Sequence, residues 1–311
     1  MKNNKTLFAF CLKIVILFVV LFGVDRMVGA AFVGMKTLGL ERNPENMWLK
    51  TPYTVEKVKA DIVVIGSSKA THNYIPDTLS HNLHMNAYNC GQDGCFFLYQ
   101  NCIINMILDR YTPKVILWDI QPESFIKNDV ADEYQNIRYL TPYYRRSLWV
   151  KHYIDSESPK MPIRMLSEMY GYNSKLLNYI FPLVTHASST KHGYIPLPSS
   201  GYAYPRMKLE SQNEDVEVSP DFLTFLDKTL KRCRLKGCDV RLCISPVYLK
   251  KSALTRHAEE SISRIADIND VRCMNYHSDS EFMVDSTLFK DAHHLNDCGA
   301  KKFTRIICGL N

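Results

Sequence analysis

Hydrophobic residues fall along this chain in two distinct patterns. The first is a single unbroken block. Thr6 to Val24 reads TLFAFCLKIVILFVVLFGV, with Lys13 as its one charge. Roughly nineteen residues at about 1.5 Å each nearly cover a hydrocarbon core of about 30 Å. The second pattern begins at residue 61. Short β-branched runs recur between segments with helical spacing. Ile62 to Ile65 is a continuous apolar run that ends in Gly66-Ser67-Ser68. Such a run predicts a strand buried on both faces. Asn86 to Asn89 is a second short strand, followed by Cys90-Gly91-Gln92-Asp93-Gly94 and a helix over 96–111. Lys114 to Ile120 is a third strand. Asp239 to Val247 and Val271 to Tyr276 are the fourth and fifth. A helix opens at Ser219-Pro220 and ends at Gly237, another runs over LTRHAEESISRIADI, and a last one starts near Asp297. Strands alternating with helices predict an α/β fold, a three-layer sandwich with a mainly parallel central sheet.

Residues 125–215 break this rhythm. They are rich in Tyr, Pro, Ser and Asn and read as short helices and loops. We take them as an insertion between core strands that could cap a site. The domain plan is thus a cytoplasmic tip and transmembrane anchor over 1–24, a connecting segment over 25–60 broken by Pro44 and Pro52, and one domain over 61–311.

Lys2 and Lys5 precede the apolar block. Positive charge on that side predicts a single pass through the cytoplasmic membrane, with the domain on the extracytoplasmic side. Val28-Gly29-Ala30 resembles a signal-peptide cleavage site, which is the rival reading. Asp25 and Arg26 lie between the block and that site and favour a retained anchor. A net charge of +6 over 311 residues is mild and fits simple solubility. No basic tract interleaved with aromatics points to nucleic acid. The ten cysteines lack C-x-x-C metal spacing, so most are read as small buried residues. No phosphate-binding loop, dinucleotide fingerprint or His-Glu-x-x-His is present. No cofactor and no metal are expected.

In an open parallel sheet, ligands sit beyond the carboxyl ends of the strands. Chemistry-bearing residues cluster at those ends in this sequence. Ser68 follows the first strand and Gly91 to Gly94 the second. Asp119 and Gln121 close the third, and Asp291 and His294 precede the last helix. A serine hydroxyl needs a base to become a nucleophile, and histidine suits that task near neutral pH. A carboxylate fixes the imidazole tautomer. Backbone N–H groups and a side-chain amide can hold an oxyanion. The plainer reading makes Ser68 a helix cap and Gly94 a turn residue.

Three segments carry a family resemblance. GSSKATH after a hydrophobic strand, NCGQDG after the next, and DAHHLN near the C-terminus resemble the blocks of the SGNH, or GDSL, hydrolases. The resemblance implies an SGNH hydrolase-like, flavodoxin-like sheet. It implies Ser68 as nucleophile, with His294 and Asp291 as its partners. The oxyanion hole falls on Gly94, with Gly91 as fallback, and on Gln121. Ser67 stands where the family has aspartate, Lys69 where it has leucine, and the third block Gly-x-Asn-Asp is absent. With the anchor, this pattern is similar to the envelope-acylation branch, such as the proteins of teichoic-acid alanylation and alginate acetylation. That branch implies a serine esterase or O-acyltransferase acting on acyl (acetyl) esters of an envelope glycan or another acyl ester, supplied by a membrane acyl-donor partner. The alternative is a non-catalytic SGNH-like binding or assembly protein of the cell envelope.

Overall fold

The computed structural model describes residues 2–126, 136–173, 175–185, 190–199, 208–209 and 217–309. Helix α1 spans Lys2–Arg42. The central sheet is built from β1 (Ile62–Ile65), β2 (Ala87–Asn89), β3 (Val115–Asp119), β4 (Asp239–Ile244) and β5 (Arg272–Asn275). All pairings are parallel, and the strand order is β2-β1-β3-β4-β5. This is a doubly wound order, in which the chain reverses its direction of travel between β1 and β3. Val63, Val115 and Leu242 accordingly sit on interior strands.

The pleat sends alternate residues to opposite faces. Val63 and Ile65 join Ile116, Trp118 and Leu242 in one buried cluster. Ile62 and Val64 join Val115, Leu117 and Cys243 in another. The first face is covered by α5 (Phe97–Arg110) and α10 (Pro220–Leu235), with α11 (Ala253–Ile268) beside them. The second is covered by α3 (Ser68–Asn73), α4 (Pro76–Leu83), the short α12 (Ser280–Met283) and α13 (Asp297–Ile307). A continuous β-branched run is the pattern that covering on both faces demands. Helix α10 starts as its sequence directs. Ser219 Oγ accepts the Phe222 N–H, and Pro220 takes the first turn, where an N–H is not needed. Gly237 follows its end at a φ of 75°, which a side chain rarely tolerates. Six cysteines (Cys90, Cys95, Cys102, Cys233, Cys238 and Cys243) are buried in the core.

The apolar block is part of a longer helix. Residues 25–42 were expected in a connecting segment, but α1 runs without interruption to Arg42. No proline occurs before Pro44, so nothing in 25–42 removes a helical hydrogen bond. Pro52 does not break the chain either, because it lies in the first turn of α2 (Lys50–Glu56). The two halves of α1 differ in environment. Phe8, Phe18 and Phe22 are each more than 60% exposed, a density of bare aromatic surface that water does not support. From Asp25 onward the helix packs on the domain. Phe32 stacks on Tyr172 with centroids 5.1 Å apart, Lys36 pairs with Glu56, and Leu40 is buried. Helix α1 is long and apolar enough to cross a membrane.

The described part of the 125–215 insertion adds no strand to the central sheet. Its two-residue strand Lys208–Leu209 pairs instead with Leu249–Lys250. Its short helices include α6 (Leu148–Glu157), α7 (Met161–Arg164), α8 (Glu168–Gly171) and α9 (Leu176–Val184). Helices α8 and α9 lie along the lower half of α1. The strap 190–199 lies against the end of β2 and against α3, with the Asn89 N–H donating to His192 O at 2.9 Å, while Tyr139, Lys175 and Asn178 line a pocket with Gln92 and Asp93 beyond β2. Ile195 N–H donates to Thr71 O at 3.2 Å, and Asp297 N–H to Leu197 O at 2.9 Å.

Candidate active site

Ser68 is the first residue of α3, directly beyond β1 and at the point where the strand order reverses. Ser67 takes the cap position, but its hydroxyl makes no cap bond. It is buried and has no partner among the described residues. The turn is tight because two glycines let backbones approach. A Cβ on Gly66 would lie 2.5 Å from Ala70 Cβ and 2.9 Å from the Asp119 carbonyl oxygen. A Cβ on Gly91 would lie 2.6 Å from the Thr71 nitrogen. The obstacle at Gly91 is backbone and cannot swing aside. Gly91→Ala is therefore expected to lower stability by about 1–3 kcal/mol, the usual cost of overpacking. Urea unfolding followed by circular dichroism reads this directly, and an unchanged midpoint would show that α3 yields freely.

Helix α3 is clamped at its far end by Asn89, the last residue of β2. Asn89 Nδ2 donates to Ala70 O at 2.7 Å and to Tyr74 O at 2.9 Å, while its Oδ1 accepts the Gly91 N–H at 2.9 Å. Asn73 Oδ1 accepts the Leu295 N–H at 3.3 Å, and Thr304 Oγ1 donates to Asn73 O at 3.2 Å. These bonds tie the serine helix to the C-terminal segment that carries the histidine.

Ser68 Oγ lies 2.7 Å from His294 Nε2. His294 Nδ1 is 2.9 Å from both oxygens of Asp291. Asp291 Oδ1 also accepts the backbone N–H groups of His293 at 2.8 Å and His294 at 2.9 Å. Partial burial raises the Asp291 carboxyl, but the imidazole and these N–H donors outweigh it and hold it down at about 2. An ionised carboxylate only accepts hydrogen bonds. His294 Nδ1 must then carry the proton, and the Nε2 lone pair faces the Ser68 hydroxyl. The i, i+3 spacing of Asp291 and His294 works on a bend before α13, not on a helix.

Of the two adjacent histidines, His293 is exposed and only its backbone contributes. His72 is buried and satisfied. Its Nδ1 is 2.7 Å from Ile195 O, its Nε2 is 3.3 Å from Asp93 Oδ2, and its ring meets the His294 ring edge-on at 5.8 Å. No pattern in the sequence marks His72 as a buttress of the base, since the two lie at opposite ends of the domain's chain.

Gly94 and Gln121 lie in the loops that follow β2 and β3. Gly94 sits at an exposed turn with φ 68°, and its N–H has no acceptor among the described residues. Gly91, the fallback donor, has its N–H engaged by Asn89. Gln121 is buried just beyond β3, and its side-chain carbonyl has no donor among the described residues. Among the described residues no hydrogen bond joins Gly94 or Gln121 to Ser68. The Gly94 turn is linked to α3 through Asp93 and His72.

Behind Ser68, Asp119 is fully buried. Burial raises its carboxyl to about 6, although the Lys69 charge and the Ser245 hydroxyl pull the other way. One of its oxygens has no hydrogen-bond partner among the described residues. A carboxyl raised in the folded state binds its proton more tightly there than in the unfolded chain. Its destabilising effect is absent below 3.8 and complete above about 6. Asp119→Asn removes this titration. Its stability relative to the parent is expected to climb by roughly 3 kcal/mol across that window, about two pH units. Thermal melts at a series of pH values measure the trend. A difference that stays flat with pH would show that Asp119 does not titrate there.

Among the described residues no group of three His, Cys, Asp or Glu side chains is placed to hold a metal ion. No family model matches the chain, and no curated protein matches it. The functional reading therefore rests on geometry and on the sequence blocks.

Proposed function

We propose that this chain is a membrane-anchored serine esterase or O-acyltransferase of the SGNH type, acting outside the cytoplasmic membrane on acyl esters of an envelope glycan. The observation that carries the reading is the relay Ser68 Oγ–His294 Nε2–Asp291, with separations of 2.7 and 2.9 Å. Its geometry meets the requirement for an activated nucleophile whose base is oriented by a third group. Ser68 Oγ attacks the acyl carbonyl and passes its proton to His294 Nε2. Asp291 stabilises the imidazolium that forms. His294 then gives the proton to the departing alcohol, leaving an acyl group on Ser68. Water or a carbohydrate hydroxyl, deprotonated by the same imidazole, resolves that ester. The first-turn N–H groups of α3, which the helix itself leaves unsatisfied, are donors for the oxyanion. Gly94 N–H and Gln121 are assigned beside them, and Gly94 is preferred to Gly91 because the Gly91 N–H is occupied.

Two features support the rest. The strand order, with the nucleophile at the switch point, is that of the flavodoxin-like sheet which the SGNH resemblance implies. Retention of α1 as a single-pass anchor is supported by its docking. Cleavage after Ala30 would discard Asp25 and Arg26, which hold α8. Lys2 and Lys5 orient the domain outward, where a membrane partner can supply the acyl donor.

The test is incubation of the purified, intact chain with a fluorophosphonate probe. Labelling at Ser68, absent from Ser68→Ala, is the expected result. A folded chain that stays unlabelled would instead be a non-catalytic envelope binding or assembly protein.

A further inference from the structure

The point where α1 leaves its apolar run carries a second site, distant in sequence from the serine. Asp25 is the first charged residue after that run. Its carboxylate accepts Ser167 Oγ at 2.5 Å and the N–H groups of Glu168 at 2.9 Å and Met169 at 3.0 Å. Gly29, one turn further on, lets this segment touch the helix, because a Cβ there would lie 2.6 Å from Glu168 Cβ. Residues 166–169 are thus fixed within about one helical turn, roughly 5 Å along the axis, of the end of the span.

A cavity of about 260 Å³ opens at this junction. Arg26, Arg145 and Arg146 line it, with Glu168 as its one acidic side chain. Glu168 pairs with Arg26 and Arg145. That leaves the Arg146 guanidinium with no ion pair or hydrogen bond among the described residues, and Arg26 Nε is buried without an acceptor. Arg26 also pairs with Asp25, and Arg145 also donates to the Met165 and Leu166 carbonyls, so the surplus at the cavity is the Arg146 charge and the Arg26 Nε donor. Beside it, Ile163, Leu166 and Met169 are 71%, 67% and 47% exposed. Bare aliphatic side chains next to the one unpaired guanidinium, that of Arg146, at the depth where a helix emerges from lipid, match the boundary between acyl chains and headgroups.

We propose that this cavity receives the phosphate of an anionic phospholipid in the leaflet from which α1 emerges, while Ile163, Leu166 and Met169 dip into the same leaflet. The inference rests on the anchor in the proposed function but not on the catalytic relay. Guanidinium forks suit a phosphate, which accepts two parallel hydrogen bonds from one arginine. The contact would hold the domain against the bilayer at a second point beside the span and fix its tilt.

The intact chain carrying Leu166→Trp, reconstituted into phosphatidylcholine vesicles, tests this. The vesicles contain equal small shares of either brominated phosphatidylglycerol or brominated phosphatidylcholine, and tryptophan quenching is read against the parent chain. Leu166→Trp should be quenched well above Leu235→Trp, an exposed position on α10, which packs on the sheet. Brominated phosphatidylglycerol should associate about five-fold more strongly than the choline lipid, the effect of one basic side chain near an anionic surface. Adding Arg146→Ala should abolish that preference while circular dichroism stays unchanged. Excess inorganic phosphate should leave the preference intact. Quenching no greater than at Leu235→Trp overturns the membrane contact. Equal quenching by the two lipids, or loss of the preference to free phosphate, overturns the lipid headgroup site. Failure of the protein to float with vesicles removes the anchor and this inference with it. Ester hydrolysis on the same samples reports the serine site independently, so the two readings fail separately.

Discussion

Ser68→Ala is expected to lower hydrolysis of a chromogenic acetyl ester by roughly 10⁴- to 10⁶-fold, the range seen when the nucleophile of a catalytic unit is removed. The substitution deletes one oxygen from a partly exposed residue at the start of α3. The helix is held by Asn89 and Asn73, not by that hydroxyl, so the melting temperature should stay the same. His294→Ala should cost nearly as much, because the hydroxyl 2.7 Å away then has no acceptor for its proton. The double variant should be no worse than either single one, since members of one unit act non-additively. Full turnover in Ser68→Ala would falsify the nucleophile assignment. Additive losses in the double variant would show that the two residues work separately.

Asp291→Asn carries the second largest expected loss, about 10⁴-fold in kcat, the cost of holding the imidazole in the wrong tautomer. The reason lies in the hydrogen bonds. The carbonyl of the introduced amide could still accept the N–H groups of His293 and His294, so the bend survives. The NH₂ of that amide would then face His294 Nδ1 and demand an acceptor there, which moves the proton to Nε2 and points it at Ser68. His293→Ala should be almost neutral, because its side chain is exposed and its backbone bond remains. Asp291→Asn also has a signature in stability. The Asp291 carboxyl is held at about 2 against 3.8 in the unfolded chain. Its stabilising effect is complete above 3.8 and is lost as pH falls towards 2. The parent should therefore outlast Asp291→Asn at neutral pH and lose that advantage through the acid range. Equal activity in Asp291→Asn and its parent, or a dead His293→Ala, would show that the carboxylate and the base have been misassigned.

The N-terminal helix shows where the hydropathy pattern stopped short. A window of apolar residues ends at Val24, because Asp25 and Arg26 are charged. Helix α1 ends at Arg42, because backbone hydrogen bonding continues until something interrupts it. The charges at its waist are met by Ser167 and Glu168, more than 140 positions away. Hydropathy reports the solvent a segment needs, and tertiary partners determine how far the helix extends into the folded domain.

Local physics made much of this protein legible from its residues alone. Continuous β-branched runs require burial on both faces, and Ser219-Pro220 and Gly237 punctuate a helix by backbone chemistry that needs no neighbours. These features dictated a parallel α/β sheet and its elements. Ser68, Asp291 and His294 also stood out, because they fall at element ends where side chains are free of core packing. Only the tertiary structure decided what brings them together. Ser68 and His294 are separated by 226 positions, and their contact depends on Asn73, Asn89, Gly66 and Gly91 holding α3 against β2 and the C-terminal bend. The buttress from His72, the engaged Gly91 N–H and the orphaned Asp119 oxygen are likewise products of that packing. The order of residues dictates which groups a chain carries and where its backbone must turn. Distances between remote groups, and the burial that sets their charge, exist only once the layers have closed.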